Sequence, residues 1–164
     1  MIRTHTRWTI GPTLAAYLES TLVPGMRTLE FGSGLSTQIF VEAGCSHVAL
    51  EYDPHCAPDL PSVILTRLVG NPPFYESIPA GPFDLILIDG PPDASGGRWG
   101  VLRVLPALIN EKTCIILDDT NRRQENELSA AIQRAWGMKR NRLYPRHAED
   151  YGRIADVLSF SRIG

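Results

Sequence analysis

The segment with the most evident chemistry is a glycine-rich turn that follows a predicted strand. Residues 28–37 read Thr-Leu-Glu-Phe-Gly-Ser-Gly-Leu-Ser-Thr, so an apolar run leads into Gly32 and Gly34 and then into a predicted helix. Glycine lets a backbone approach a ligand closely, and the first turn of a helix offers unpaired N–H groups. The pattern favours a cradle for an anionic or polar ligand, although a glycine turn also serves simply to connect a strand tightly.

Two acidic residues and Thr37 narrow the choice of ligand. A dinucleotide-binding GxGxxG fingerprint has glycine or alanine where this chain has Thr37. Glu30, two residues before the first glycine, would repel a pyrophosphate and would suit an ammonium group. Glu51 ends the second predicted strand about 20 residues after the turn, where an acid can accept hydrogen bonds from ribose hydroxyls.

Three aspartates follow two further predicted strands. Asp89 comes after an apolar run at 83–88, and Asp118 and Asp119 come after a run at 113–117. Ligands bind at the carboxyl ends of the strands of open parallel sheets. A single aspartate often caps a helix or fills a turn, but three converging carboxylates repel one another. We therefore expect a bound cation or a shared proton among them.

The glycine turn and the acidic strand end that follows it together resemble a known cofactor site. Glu30-Phe-Gly-Ser-Gly-Leu-Ser followed by Leu50-Glu51-Tyr-Asp resembles the site of class I S-adenosylmethionine-dependent methyltransferases. The resemblance implies that Ser36 binds the methionine carboxylate, that Glu51 binds the ribose, and that Asn71 contacts the adenine amino group. Asn71 equally suits a turn before two prolines. The cofactor-binding residues implied are Glu30, Gly32, Ser33, Gly34, Ser36, Glu51, Asn71 and Asp89.

The aspartates resemble the metal site of the cation-dependent O-methyltransferases of the catechol and macrocin types. This resemblance implies that Asp89, Asp118 and Asp119 hold Mg²⁺ or another divalent cation, which would bind the acceptor hydroxyl and lower its pKa. Catechol-type enzymes place a basic lysine shortly after the first of these aspartates, whereas Gly-Pro-Pro-Asp93 stands here. The catalytic candidates are therefore Asp89 and Asp93, with His55 and His147 as alternative bases.

The elements that position these residues follow from hydrophobic periodicity. Short apolar runs alternate with amphipathic stretches, which is typical of a parallel sheet flanked by helices. We predict a first helix that ends near Pro24 and a late helix with Asn121 as its cap and Gly137 at its end. Strands are predicted at 28–31, 47–52, 63–69, 83–89, 113–117, 141–144 and 156–160. The expected fold is α/β: a Rossmann-like, doubly wound, mostly parallel seven-stranded sheet with an antiparallel edge strand and helices on both faces.

Three other segments have a functional and a structural interpretation. The loop at 93–100 could close over an acceptor through Arg98 and Trp99, or Trp99 could simply pack against the next helix. Residues 5–8 precede the first helix, where the resembling family often forms one wall of its acceptor pocket. The stretch 122–146 is rich in basic residues: Arg122, Arg123, Arg134, Lys139, Arg140, Arg142 and Arg146. These side chains could form a solvated helix face, or they could attract an anionic substrate.

Composition sets the broad class. The chain has 164 residues, a formal net charge of −2 and 43% hydrophobic residues, so we expect one soluble domain spanning 1–164. Three cysteines without a CxxC pair and the lack of a secretory signal or bilayer-length apolar run indicate a cytoplasmic protein without membrane association. Because the chain is slightly acidic and lacks a nucleic-acid motif, we expect a small-molecule acceptor, with an anionic molecule as one alternative, and no nucleic acid. A homo-oligomer is possible.

The expected function is S-adenosylmethionine-dependent methyl transfer to a small molecule, at a hydroxyl oxygen with a divalent cation. Two alternatives stay open. A nicotinamide-dependent oxidoreductase is opposed by Glu30 and Thr37, and a non-catalytic methyltransferase-like binding module would explain the absent lysine.

Overall fold

A computed structural model describes residues 9–161 of the protein, so the segment at 5–8 lies outside the described residues. Three α-helices cover Pro12–Thr21 (α1), Leu35–Glu42 (α2) and Arg123–Trp136 (α3). Short 3₁₀ turns occupy Asp93–Ser95, Trp99–Arg103, Leu105–Ala107 and Ala148–Asp150. The strands are β1 (Arg27–Phe31), β2 (Ser46–Glu51), β3 (Val63–Leu65), β4 (Leu68–Val69), β5 (Phe74–Tyr75), β6 (Leu85–Ile88), β7 (Cys114–Leu117), β8 (Lys139–Leu143) and β9 (Ala155–Ser159).

Seven strands form one sheet in the order β3-β2-β1-β6-β7-β9-β8. Neighbouring strands from β3 to β7 are parallel, and β9 runs antiparallel to both β7 and β8. The predicted Rossmann-like, mostly parallel sheet with an antiparallel edge is confirmed, and the reversed strand is β9, which lies between β7 and the edge strand β8. Strand order reverses between β1 and β6, where ligands bind in open α/β sheets.

Two of the predicted elements are wrong in detail. The predicted strand at 63–69 is divided, because only β3 joins the main sheet while β4 pairs with β5 in a separate antiparallel hairpin. Asn121 does not cap α3, since Arg122 occupies that position and no side chain closes the helix start. Gly137 ends α3 in a left-handed conformation with φ 64°, as predicted.

Alternating strand residues build one core on each face of the sheet. Ile86 and Ile88 pack with α3 and the 3₁₀ turns, whereas Leu85 and Leu87 pack with α1 and α2. This alternation follows from the two-residue period of a strand. The central strands β1, β6 and β7 are buried on both faces, so their carboxyl ends are the natural place for polar groups. Within the described stretch, no helix combines the length and apolar character needed to cross a bilayer.

Asp150 joins the connection between β8 and β9 to the start of α1. Its carboxylate accepts hydrogen bonds from the Thr13 backbone N–H and hydroxyl and from the N–H groups of Arg146 and His147. Burial opposes ionisation, but these hydrogen bonds prevail and lower the pKa of Asp150. The contact holds residues 146–150 beside α1, close to the carboxyl end of β7.

Candidate functional site

Glu51 ties the glycine turn to the end of β2. One carboxylate oxygen accepts hydrogen bonds from the Tyr52 and Asp53 N–H groups at 2.8 and 3.0 Å. The other accepts from the Ser33 N–H and hydroxyl at 3.1 and 3.0 Å. A carboxylate has about four acceptor sites. All four are occupied in Glu51, and these hydrogen bonds fix the loop. The Ser33 hydroxyl is the one of these four donors that can rotate away for a ribose hydroxyl.

Glu30 faces the inside of the protein. Its carboxylate is 1% exposed and accepts hydrogen bonds from the hydroxyls of Ser36 and Thr37, which lie in the first turn of α2. His47, stacked on Phe40, places its Nε2 atom 3.4 Å from the same carboxylate. A serine hydroxyl has one proton to donate, so Ser36 in this arrangement holds Glu30 and does not present a donor to a cofactor carboxylate. Glu30 and Ser36 therefore support the glycine turn from the protein interior.

Tyr75 brings an unpaired donor to the front of the glycine turn. The residue is 3% exposed and its hydroxyl has no hydrogen-bond partner. A Cβ atom on Gly90 would lie 2.6 Å from that hydroxyl and 3.2 Å from Gly32 Cα. Burial, with Glu51 and Asp89 nearby, raises the pKa of Tyr75, so the hydroxyl keeps its proton. A buried donor without an acceptor is costly, so this hydroxyl marks an unsatisfied polar position beside the glycine turn.

Arg98 lies among the three aspartates. The ligand atoms of Asp89, Asp118 and Asp119 lie within 4.8 Å of one another, as their positions in the sequence predict. The Arg98 side chain, 3% exposed, places Nη2 at 3.1 Å from Asp89 Oδ1 and 2.9 Å from Asp119 Oδ2. Its Nη1 donates to the Asp118 backbone carbonyl at 2.6 Å, and Nη2 also donates to the Asp89 carbonyl at 3.0 Å.

This arrangement does not fit a divalent cation. Mg²⁺ or Ca²⁺ binds carboxylate oxygens at about 2.0–2.6 Å, and two of the three aspartates already bind a buried positive charge through those oxygens. Arg122 and Arg153 add further positive charge, with nitrogen atoms 3.3 and 3.5 Å from the Asp119 carboxylate. The expected metal site is therefore an ion-pair cluster with an arginine at its centre.

The buried aspartates differ in exposure and in proton affinity. Burial and the neighbouring Asp118 raise the pKa of Asp89, against the opposing effect of Arg98. Burial and the Asp119 carboxylate raise the pKa of Asp118 to about 6, and its Oδ2 atom has no hydrogen-bond partner. The Asp89 side chain is 24% exposed against 6% for Asp119, so Asp89 is the more accessible.

We expect Asp118→Asn to remove a pH-dependent cost of folding. The unfolded carboxyl has a pKa of about 4, and the folded one has a pKa of about 6. The folded state binds more protons between these values, so wild-type stability falls as the pH rises through this window. At pH 8 the free energy of unfolding of the variant should exceed that of wild type by about 1–3 kcal/mol. At pH 4 the two proteins should differ little.

Chemical denaturation of both proteins at the two pH values measures this difference. Asp59→Asn, at an exposed aspartate, is the matched control and should follow wild type. An unchanged pH dependence in Asp118→Asn would contradict the prediction.

The loop at 93–100 is exposed at its start and packed towards its end, where Gly97, Arg98 and Gly100 are buried. A Cβ on Gly96 would lie 2.7 Å from Pro73, and one on Gly100 would lie 2.4 Å from the Phe74 Cβ. The predicted substrate contact by Arg98 is wrong in this structure, because its guanidinium is buried on the aspartates. Trp99 is partly buried and packs against the core cluster that contains Leu105, which favours the structural alternative.

Other predicted residues lie at the surface. Asn71 is exposed in the turn between β4 and β5, and Asp93 is exposed at the start of a 3₁₀ turn. His55 and His147 are also exposed and lie outside the aspartate cluster. Their predicted roles stay predictions.

Much of the basic stretch is engaged in ion pairs. Arg140 and Arg142 pair with the fully buried Asp156, and Arg123 pairs with Glu127 one helical turn away. These contacts favour the structural interpretation for those arginines. Arg146 is different, because it is exposed and lines a cavity.

That cavity has a volume of about 370 Å³ and lies between α1 and the end of β8. Tyr17 and Tyr144 give it aromatic walls, and Arg142, Arg146 and His147 give it a basic rim. A narrow neighbouring cavity shares Thr13 and Leu143 with it and reaches Asp118 and Arg153. The larger cavity is thus separated from Asp118 by the narrow one, and Asp89 lines neither of them.

Sequence reasoning missed Tyr75, Glu125 and the role of Arg98. Glu125 is 2% exposed with a carboxylate oxygen that lacks a hydrogen-bond partner. Its place in the first turn of α3 gave no signal of burial. Charge balance was the available signal for Arg98, since three buried carboxylates need a nearby cation and this arginine follows the first of them by nine residues.

Comparisons with known proteins give a match in fold. No protein-family model and no curated protein sequence matches the chain. The structure is similar to precorrin-6y C5,15-methyltransferase from Geobacter metallireducens GS-15, with 16% identity, a TM-score of 0.65, and coverage of 97% of this chain and 94% of that one. It is also similar to an O-methyltransferase from Bacillus cereus in complex with S-adenosylhomocysteine, with 20% identity, a TM-score of 0.62, and coverage of 94% and 84%.

A TehB-like S-adenosylmethionine-dependent methyltransferase from Corynebacterium glutamicum gives 15% identity, a TM-score of 0.61, and coverage of 91% and 88%. The chain shares its overall fold with these methyltransferases. At these identities the likeness concerns the fold alone. The methyltransferase fold places the glycine turn, Glu51 and the aspartates together at the carboxyl end of its sheet, as described above.

Proposed function

We propose that the protein is an S-adenosylmethionine-dependent methyltransferase that acts on a hydroxyl oxygen of a small anionic acceptor. The observation that carries the proposal is the glycine turn fixed by Glu51 at the switch point of a methyltransferase fold. The oxygen acceptor is favoured by the accessible carboxylate of Asp89 beside this turn and by the O-methyltransferase among the similar structures.

The residues of the glycine turn fit the cofactor. A Cβ on Gly34 would meet no atom within 4 Å, so the backbone there borders open space. Glu51 lies where a ribose would replace the Ser33 hydroxyl as its partner. The Tyr75 hydroxyl supplies a donor that lacks an acceptor. S-adenosylmethionine, when bound, supplies an activated methyl group, so the chain has to bind, align and deprotonate rather than form a covalent bond.

Asp89 is assigned to the acceptor proton. Its carboxylate is the more exposed of the two aspartates bound to Arg98, and Arg98 fixes one of its oxygens. We assign the other oxygen to accept a proton from the acceptor hydroxyl. Divalent-cation assistance is not part of the proposal, because Arg98 occupies the aspartates that would bind the ion.

The cavity beside α1 is assigned to the acceptor. Tyr17 and Tyr144 suit a flat or apolar group, and the exposed Arg146 on the rim suits a carboxylate or phosphate. A volume of about 370 Å³ suits a small molecule rather than a polymer.

Thermal unfolding with added ligands tests the proposal. S-adenosylhomocysteine should raise the Tm, because a ligand at 100 times its Kd stabilises the native state by about 2.7 kcal/mol, whereas NAD should not. Stabilisation by NAD alone would contradict the proposal and favour an oxidoreductase. Hydroxylated acceptors that bear a carboxylate or phosphate should then be methylated in preference to their neutral analogues. Cofactor binding without turnover across such a panel would leave only a binding module.

A further inference from the structure

Arg98 is held in place from several directions. Its guanidinium bridges the carboxylates of Asp89 and Asp119 and the carbonyl oxygens of Asp89 and Asp118. The backbone that follows Arg98 is closely packed, because a Cβ on Gly100 would lie 2.4 Å from the Phe74 Cβ. The buried Glu125 adds negative potential around the same guanidinium. The arginine is therefore built into the cluster.

The charge of the cluster explains why a cation is needed there. Three carboxylate side chains meet at the ends of two adjacent strands, and Asp118 and Asp119 are almost fully buried. An uncompensated group of this kind costs several kcal/mol, and a guanidinium remains charged at every pH at which the protein folds. Asp119 also adopts a left-handed backbone with φ 60°, which aims its carboxylate into the cluster at some cost in strain.

We infer that Arg98 is the resident cation of this site and takes the place of the divalent metal that the cation-dependent O-methyltransferases use. A guanidinium has only N–H donors, so it positions Asp89 and Asp119 and does not coordinate an acceptor oxygen as a Lewis acid. The three aspartates should bind a metal only when this side chain is removed. The inference does not depend on the proposed methyl transfer, because its test measures metal binding.

The test is a titration with Mn²⁺, followed by electron paramagnetic resonance, and with Mg²⁺, followed by thermal unfolding. Wild type should show no saturable Mn²⁺ binding at millimolar concentration, and neither Mg²⁺ nor EDTA should shift its Tm. Arg98→Ala should gain saturable binding of one Mn²⁺ and a Tm that rises with Mg²⁺. Arg67→Ala removes an exposed arginine that pairs only with Glu76 and should behave as wild type.

Arg98→Gln keeps most of the side-chain volume and is measured in parallel, since the alanine variant loses packing as well as charge. If either variant folds only with metal, recovery of a cooperative unfolding transition on adding Mn²⁺ counts as the gained site. Saturable Mn²⁺ binding to wild type would overturn the inference. So would the failure of both variants to bind or respond to metal. If S-adenosylhomocysteine does not raise the Tm of wild type, the proposed function is contradicted and the inference about Arg98 is unaffected.

Discussion

Replacing Glu51 with alanine is expected to weaken binding of S-adenosylhomocysteine by about 100-fold. The carboxylate accepts four hydrogen bonds, two of them from Ser33 in the glycine turn. Hydrogen bonds to a charged group contribute about 1.5–3 kcal/mol, and each 1.4 kcal/mol is a factor of ten in Kd. The variant loses both the ribose acceptor and the anchor that holds the turn in shape. Isothermal titration calorimetry measures the change directly.

Glu76→Ala is the matched control for this variant. Glu76 is an exposed glutamate that pairs with Arg67 at the surface, so its removal should leave the Kd unchanged. Glu51→Gln keeps one carbonyl acceptor and should lose less affinity than the alanine variant. Equal affinity in Glu51→Ala and wild type would show that the cofactor does not bind at this turn.

Gly32→Ala is expected to destabilise the protein by about 2–4 kcal/mol and to abolish cofactor binding. Gly32 has φ 97°, where a side chain is strained. The added Cβ would also lie 3.3 Å from the Asp89 carbonyl carbon and from the Gly90 nitrogen. Both neighbours are backbone atoms, so the ends of β1 and β6 must separate where the ligand is proposed to bind. Denaturant titration measures the stability, and calorimetry with S-adenosylhomocysteine measures the binding.

Gly25→Ala separates the effect of backbone strain from the effect of the contact between the strand ends. Gly25 has φ 84°, but a Cβ there would meet no atom within 4 Å. This variant should therefore lose about 1 kcal/mol from backbone strain alone and bind the cofactor as wild type does. Equal losses in the two variants would mean that the contact between the strand ends contributes nothing.

The strand positions were predictable because the pattern is local. Runs such as 83–88 and 113–117 are too apolar for a surface and too short for a buried helix, so they favour central strands of a parallel sheet. The prediction of one strand at 63–69 was wrong because this apolar run contains two strands. Leu65 ends the pairing with the main sheet, and Leu68 pairs with Tyr75. Nothing within that run distinguishes the two partners.

By itself, the sequence determined the fold class, the glycine turn and the meeting of three aspartates, because each follows from neighbouring residues and from the rule that parallel strands end at one edge. Only the tertiary structure decided which cation those aspartates bind. Arg98 reaches Asp119 across 21 positions of sequence, and its direction is set by the packing of Gly96 and Gly100 on the β4 and β5 hairpin. Such contacts depend on several chain segments at once, and no local pattern encodes them.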